Sequence, residues 1–292
     1  MIADPAAGGG RVRGELDAVR RSLDERGLDH ELWVTERPGD GERLASEALA
    51  AGHRFVVAVG ADGVVQDVVN GLLSDGARQE PVLGVVSAGS ACDLTKSFGL
   101  PDDTASGCAH LTGDNTYPLD VMKVTCRGAD GDPHSRYAHN IAEVGLGAAV
   151  SARTAAGRSR FGAFWRSYLA YRVPTMTVGI DAKDDRAFRA WNLVIGNGQF
   201  SAGLRLSPRS FPGDGVLEAL VFTGPKSDAY RMLPRIYRHG DHVPDPGIIE
   251  LRARIRIGVE ASKPLRIVAD GRPLGTTPAT FQLVPRRILL KL

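Results

Sequence analysis

Four consecutive residues, Gly60-Ala61-Asp62-Gly63, have the types and spacing to do chemistry. Two glycines let a backbone come close to a ligand, and the helix that follows offers its first N–H groups and the positive end of its dipole. Together they favour a phosphate. An Asp in such a turn would repel a bare phosphate, so a divalent cation between Asp62 and the phosphate is the natural reading. An ordinary strand-to-helix turn with no ligand is the other reading of these residues. Two more small-residue turns, Asp4-Pro5-Ala6-Ala7-Gly8-Gly9-Gly10 and Ser87-Ala88-Gly89-Ser90-Ala91-Cys92-Asp93, repeat the pattern elsewhere in the first half of the chain.

The elements that must position these turns follow from periodicity. Phe55 to Val59 is an unbroken apolar run rich in β-branched residues, the signature of a buried parallel strand. Val65, Val68, Val69 and Leu72 then recur at helical spacing. Met1-Ile2-Ala3 reads as the tail of a strand whose first residues are missing or lie upstream of the assigned start. A helix from about Arg11 to Arg26, a strand from His30 to Glu36, a helix from Glu42 to Ala51 and a strand from Val82 to Val86 complete the alternation. Strands alternating with helices at this spacing predict a parallel sheet covered on both faces, with ligands beyond the carboxyl ends of its strands. All three small-residue turns fall at that edge, and their convergence favours a nucleotide or phosphate site.

From about Asp120 the pattern changes to short strands with few helices, which predicts a β-sandwich. Leu119 to Thr125, Ala138 to Glu143, Trp191 to Ile195, Leu217 to Phe222, Leu265 to Ala269 and Phe281 to Leu283 read as strands. Ile249 to Ile257 alternates as one strand, with Ile249, Leu251, Ala253, Ile255 and Ile257 on one side. The expected organisation is an α/β N-terminal domain over residues 1–118, a C-terminal β-sandwich domain over 119–284, and a last strand over 285–292. Residues 150–172 stand apart, with Arg153, Arg158, Arg160, Arg166 and Arg172 and no acid, beside Phe161, Phe164, Trp165, Tyr168 and Tyr171. One reading is a basic aromatic face that meets anionic lipid. The other, favoured by the sequence, puts Phe164, Tyr168 and Tyr171 in the core and the arginines in water.

Bulk properties narrow the field. At 292 residues two domains are the prior. With 36 basic against 34 acidic residues, charge gives no reason to expect nucleic acid as a partner. Cys92, Cys108 and Cys126 form no C-x-x-C pair and read as reduced cytosolic thiols. His239 and His242 read as surface residues. No apolar run approaches the ~20 residues of a membrane span, and no signal peptide precedes the first helix.

In order and spacing, the chain resembles the diacylglycerol kinase catalytic family, which includes bacterial lipid kinases and sphingosine kinases. That family reads N-P-x-x-G, then T-E, then G-G-D-G-T-x-x-E/D-V-x-N-G-L, then P-x-G-T-x-N-D. Here the matching stretches are Asp4 to Gly8, Thr35-Glu36, Gly60 to Leu72, and Ser87 to Asp93. Asn140 to Gly147 resembles the family's N-x-x-x-x-G-x-D/G stretch. The resemblance implies ATP on the first-domain turns, with Asp4, Pro5, Gly8, Thr35, Gly60, Ala61, Asp62, Gly63, Val64, Asp67 and Ser90 in the binding set, and Mg²⁺ near Asp62. It also implies a structural Mg²⁺ at Asp214, with carbonyls of Phe211 and Val216, although Gly213-Asp214-Gly215 also reads as a plain hairpin turn. Asp270, in Ala269-Asp270-Gly271-Arg272, would be the general base for a lipid hydroxyl entering between the domains. The last strand is implied to return to the first domain.

The expected activity is an ATP- and Mg²⁺-dependent lipid kinase for diacylglycerol or a similar long-chain lipid, with a place in phospholipid biosynthesis. It would be cytoplasmic and peripheral at the membrane, and the sequence leaves a homodimer open. Departures from the pattern all fall in the site. Asp4 replaces Asn, Ala61 replaces Gly, Val64 replaces Thr, Ser87 replaces Pro, Ser90 replaces Thr, Cys92 replaces Asn and Arg272 replaces Glu. If position 61 needs a positive φ, its Cβ costs ~1–2 kcal/mol, and a nearby Arg272 would lower the pKa of Asp270. These departures keep a catalytically weak or inactive nucleotide- or lipid-binding relative in view. A kinase for a soluble alcohol such as NAD fits the motif order less well.

Overall fold

The computed structural model describes the chain except residues 75–79, 90, 91, 156, 158, 184 and 239, and it divides into two compact units. The first comprises Met1–Asp120 and Pro285–Leu292 and the second Val121–Val284.

The first unit alternates as its apolar runs require. Its elements are β1 (Ile2–Ala3), α1 (Arg11–Asp24), β2 (Trp33–Val34), α2 (Asp40–Ala50), β3 (Phe55–Gly60), α3 (Asp62–Leu73), β4 (Val82–Ser87), and two short helices, α4 (Asp93–Phe98) and α5 (Thr104–Gly107). β2, β1, β3 and β4 pair in parallel in that order, and the C-terminal Leu289 and Leu290 add in parallel beside Val82 and Leu83. One face buries Val57 and Val59 under Val12, Val19 and Leu23 of α1. Helices α2 and α3 cover the other face and cross closely, because a Cβ at Gly71 would collide with the carbonyl of Glu42. The strand expected over His30 to Glu36 shrinks to Trp33–Val34. Only its end reaches β1, through Trp33 N–H on Met1 O and Thr35 N–H on Ala3 O.

The second unit is built on antiparallel pairing. In order it holds β5 (Thr116–Arg127, which enters it), β6 (Pro133–Ala138), β7 (Ile141–Gly145), α6 (Leu146–Ala155), α7 (Arg160–Ala170), β8 (Thr175–Ile180), β9 (Arg186–Arg189) and β10 (Asn192–Gly196). A small pair follows, β11 (Phe200–Ser201) and β12 (Leu204–Arg205), then β13 (Leu217–Phe222), α8 (Asp228–Arg231), α9 (Leu233–Arg238), β14 (Ile248–Ala253), β15 (Arg256–Ala261), β16 (Arg266–Ala269) and β17 (Arg272–Lys291). β14, β13, β10, β7 and β16 form one layer, while β9, β8, β15 and β17 follow one another in a second. Alternate residues of both, among them Val144, Leu193, Val221, Val178, Ile257 and Phe281, meet in one core. The outer face of β7, β10 and β13 is covered by α6 to α9 through a second apolar cluster around Trp191, Leu220 and Phe222.

Alternation from Ile249 to Ile257 predicted one strand, but the chain turns at Arg254-Ile255. There the Asp181 carboxylate accepts N–H bonds from Arg254, Ile255 and Arg256 at 2.9, 2.8 and 2.9 Å, and Ile255 is left exposed. Hydrophobic period survives the turn, so it could not reveal it. His242, expected at the surface, is fully buried, with Nε2 3.0 Å from Leu206 O and its ring stacked on Phe222. Its neighbour His239 lies outside the described residues.

Candidate active site

Three turns meet at the carboxyl edge of the parallel sheet. After β1, the Asp4 carboxylate takes the N–H of Ala6 at 3.0 Å, and the chain makes one 3₁₀ turn, Ala7–Gly9. Gly8 sits at φ 63°, and a Cβ there would lie 2.7 Å from the backbone of Gly89. The first and third turns therefore touch backbone to backbone, which only glycine at position 8 allows. After β3, Gly60 O accepts the N–H of Ala88 at 3.2 Å. Asp62, the first residue of α3, closes the set. Its Oδ1 accepts the N–H of Asp93 at 2.7 Å and the Cys92 thiol at 3.3 Å.

The structure decides several expectations for this edge. Ala61 has φ −105° and ψ −176°, extended backbone open to any residue, so the anticipated strain from replacing glycine does not arise. Val64 is buried over Gly60, where a Cβ would lie 2.8 Å from Val64 Cγ1. Cys92 brings a donor of its own in place of the lost amide. Burial, and then the charge of Asp62, push its thiol well above the usual range, so it stays protonated and donates to that carboxylate. Pro5 is buried, and Thr35, just past β2, bonds through its N–H to Ala3 O and so sits at the same edge as Asp4. Gly63 follows Asp62 in the first turn of α3. Asp67 is buried one turn further on, packed on Gly41 at the start of α2. Ser90 lies outside the described residues.

In the second unit, Asp270 is at φ 45° in the hairpin between β16 and β17, with its side chain fully buried. Oδ2 accepts the N–H of His139 at 2.8 Å, and Oδ1 those of Asn140 and Ile141 at 3.1 and 3.0 Å. His139 Nδ1 lies 3.0 Å from Oδ2. Burial works to raise its pKa, but the charge of His139 and these hydrogen bonds overcome it and hold the carboxyl below its ordinary value. His139 leads the lowering causes, followed by the backbone N–H groups. The carboxylate thus holds three successive backbone N–H groups in a buried setting, beside the His139 ring.

Asp214 is exposed, and its Oδ1 is bound to the N–H of Val216 at 3.0 Å. The Phe211 carbonyl, one of the two expected backbone ligands, accepts the N–H groups of Gly213 and Asp214. Among the described residues no three His, Cys, Asp or Glu side chains come together as a metal-binding group.

Glu143 was not singled out from sequence. It is buried in β7, accepts from Ser151 at 3.3 Å, and interacts with Asn192 and Arg160. Burial pushes its pKa up to about 6 against the lowering effect of those three neighbours. The available signal was a lone acid inside the apolar run Ile141 to Val144.

Residues 1–124 match the diacylglycerol kinase catalytic domain, and residues 141–291 match the YegS C-terminal NAD kinase beta sandwich-like domain. The chain belongs to the diacylglycerol kinase catalytic family. Relatives of this family include a protein of Stenotrophomonas maltophilia named as a YegS-like lipid kinase, 26% identical over 91% of this chain and 88% of its own. Another, of Pseudomonas aeruginosa and with the same name, is 28% identical over 96% and 88%. A diacylglycerol kinase of Staphylococcus haemolyticus is 24% identical over 99% and 86%. A diacylglycerol kinase crystal structure from Bacillus anthracis superposes with a TM-score of 0.75 over 99% of this chain and 94% of its own, at 19% identity. A yeast NADH kinase complexed with NADH reaches 0.51 over 99% and 81%, at 11% identity. At these identities both structures speak to the fold alone.

Proposed function

We propose that this family member transfers the γ-phosphoryl group of ATP to a hydroxyl of diacylglycerol or a similar long-chain lipid. The observation that carries this reading is the joining of three turns at one sheet edge, with Gly8 against Gly89 and Asp62 bonded to Asp93. Backbone amides at such an edge suit a polyphosphate, and phosphoryl transfer asks a protein for positioning and charge compensation more than for covalent steps. The bond from the γ-phosphorus to its bridging oxygen breaks, a bond to the lipid oxygen forms, the hydroxyl proton leaves and ADP is released. In this reading Asp4, Pro5, Gly8, Thr35, Gly60, Ala61, Gly63 and Val64 shape the nucleotide edge, and the family resemblance adds Asp67 and Ser90 to the set. Mg²⁺ would arrive with the nucleotide, with Asp62 offering one carboxylate oxygen, and it supplies neutralisation of phosphate charge when bound. Asp270 fixes the His139 to Ile141 backbone, and it takes the hydroxyl proton where the substrate reaches its buried carboxylate.

The test is incubation of the pure protein with γ-labelled ATP, Mg²⁺ and a panel of diacylglycerols and long-chain alcohols. Label in a lipid product supports the reading, and no transfer to any lipid removes it. The engagement of Asp270 favours one second reading, a nucleotide-binding relative without turnover. Saturable ATP binding with no labelled product would establish that one instead.

A further inference from the structure

Four polar residues are buried together at one end of the layer that holds β16, β7 and β10. Asp270 follows β16, His139 and Asn140 precede β7, and Asn197 follows β10. The pairing of Ala269 with Ala142 and of Gly196 with Ile141 brings all four to the same end. Polar groups taken out of water cost stability unless they are hydrogen-bonded, and here the bonds run among the four. Asn197 Nδ2 donates to His139 O at 2.7 Å, and the N–H groups of Asn197 and Gly198 donate to Asn140 O, both at 2.8 Å. A Cβ at Gly198 would lie 2.3 Å from Asn140 Oδ1, so the chain after β10 closes tightly on the residues before β7.

This frame presents His139 to Asp270 twice. Its backbone N–H lies 2.8 Å from Oδ2, and its ring Nδ1 lies 3.0 Å from the same oxygen. Nδ1 carries a proton at that separation, because two lone pairs would otherwise face each other at hydrogen-bond distance. The backbone N–H would be present with any residue but proline at position 139, so the second donor and its charge are what a histidine adds. A carboxyl group sealed from water tends to keep its proton, since burial disfavours the charged form. One that already holds a proton has no place for another from a substrate. A base in this turn therefore needs a neighbour that keeps it ionised. The titratable and charged residues of the adjoining elements are Arg136 and Tyr137 of β6, Glu143 of β7 and Arg272 of β17, and the segment after β10 brings only the Asn197 amide. His139 is the charge that lowers the Asp270 carboxyl.

We propose that His139 is a positioning residue for the phosphoryl transfer, whose ring holds Oδ2 of Asp270, keeps that carboxylate without a proton and so leaves it able to take one from the lipid hydroxyl. The role rests on the proposed function, in which Asp270 is the proton acceptor. In that step the lipid oxygen bonds to the γ-phosphorus, the bond from phosphorus to its bridging oxygen breaks, ADP leaves with the electron pair, and the hydroxyl proton passes to Asp270. His139 acts through Oδ2 and not on the reacting atoms. Asn197 holds it in register through the His139 carbonyl.

The variant His139→Gln keeps the backbone N–H and removes the ring and its charge. Carbon-13 NMR of the Asp270 carboxyl, assigned by its loss in Asp270→Asn, follows the pair without any turnover. In His139→Gln its titration should move to higher pH by at least about 1 unit, a ~10-fold gain in proton affinity. The acid limb of kcat/KM for lipid phosphorylation should move up with it, because a base works only when ionised. A merely structural role would lower kcat/KM alike at every pH and leave that limb in place. An Asp270 titration that does not move in folded His139→Gln overturns the inference, and so does an acid limb that stays put while activity falls. Should His139→Gln not fold, nitrogen-15 NMR of histidine-labelled wild type decides: a proton on His139 Nδ1 upholds the pair, and a bare Nδ1 overturns it. If the titration moves as expected and wild type phosphorylates no lipid, the control of Asp270 by His139 stands and the kinase reading falls.

Discussion

Replacing Asp270 separates scaffold from chemistry. Asp270→Ala would leave the N–H groups of His139, Asn140 and Ile141 without their buried acceptor. At ~1–3 kcal/mol per unsatisfied buried donor the loss is ~3–9 kcal/mol, comparable with the ~5–15 kcal/mol that holds a whole protein folded. That variant should fail to fold its second unit. Asp270→Asn is the finer probe. Its amide oxygen can still serve Asn140 and Ile141, but its NH₂ faces the N–H of His139, donor against donor. One unsatisfied donor plus the loss of charge assistance comes to about 3 kcal/mol. For a chain of this size that is a fall of roughly 6–12 °C in Tm. Urea unfolding followed by circular dichroism measures it. The pH dependence adds a signature. Because the folded carboxyl lies below its ordinary 3.8, its stabilisation is present above that pH and is lost as pH falls through the lower folded value. Asp270→Asn should remove this acid limb. A variant within ~0.5 kcal/mol of wild type that nonetheless loses all lipid phosphorylation would refute the scaffold argument and make Asp270 a base in its own right.

Glu143→Gln should be more stable than wild type near neutral pH. The folded pKa of about 6 stands above the ordinary 4.5, so wild type has its full stability below about 4.5 and loses some as pH rises through 6. The 1.5-unit difference is worth about 2 kcal/mol over the whole range, of which about 1 kcal/mol falls between pH 5 and pH 7.5 in urea titrations, and a flat profile for wild type would contradict it. Gly8→Ala and Gly9→Ala share a left-handed backbone, at φ 63° and 72°, but only the first meets Gly89. Gly9→Ala should cost ~1 kcal/mol and keep ATP affinity, whereas Gly8→Ala should cost more and lose ATP binding by calorimetry. Equal behaviour of the two would remove the close approach as a cause. Asp62→Asn keeps an oxygen for the Asp93 N–H, so its melting temperature should hold while phosphoryl transfer falls ~100-fold or more. Wild-type turnover in that variant would exclude Asp62 from the site.

Periodicity and glycine content suffice for much of this protein, because they report local physics. A short unbroken β-branched run followed by a glycine turn reads as a strand buried on both faces, and β3 is one. Val65, Val68, Val69 and Leu72 share a face only in a helix, and α3 is that helix. The turns that follow β1, β3 and β4 were legible as small-residue breaks, and a parallel sheet must deliver them to one edge. Tertiary structure alone decided what depends on partners distant in sequence. Asp270 could be read as a free base because its donors lie about 130 residues earlier in the chain. The break in Ile249 to Ile257 is imposed by Asp181, more than 70 residues away. The facing of α7 was equally hidden. Its sequence offers apolar residues in nearly every direction, yet Ala163 and Ser167 are the buried ones, with Ser167 Oγ on Ala149 O of α6, while Phe161 and Leu169 meet water.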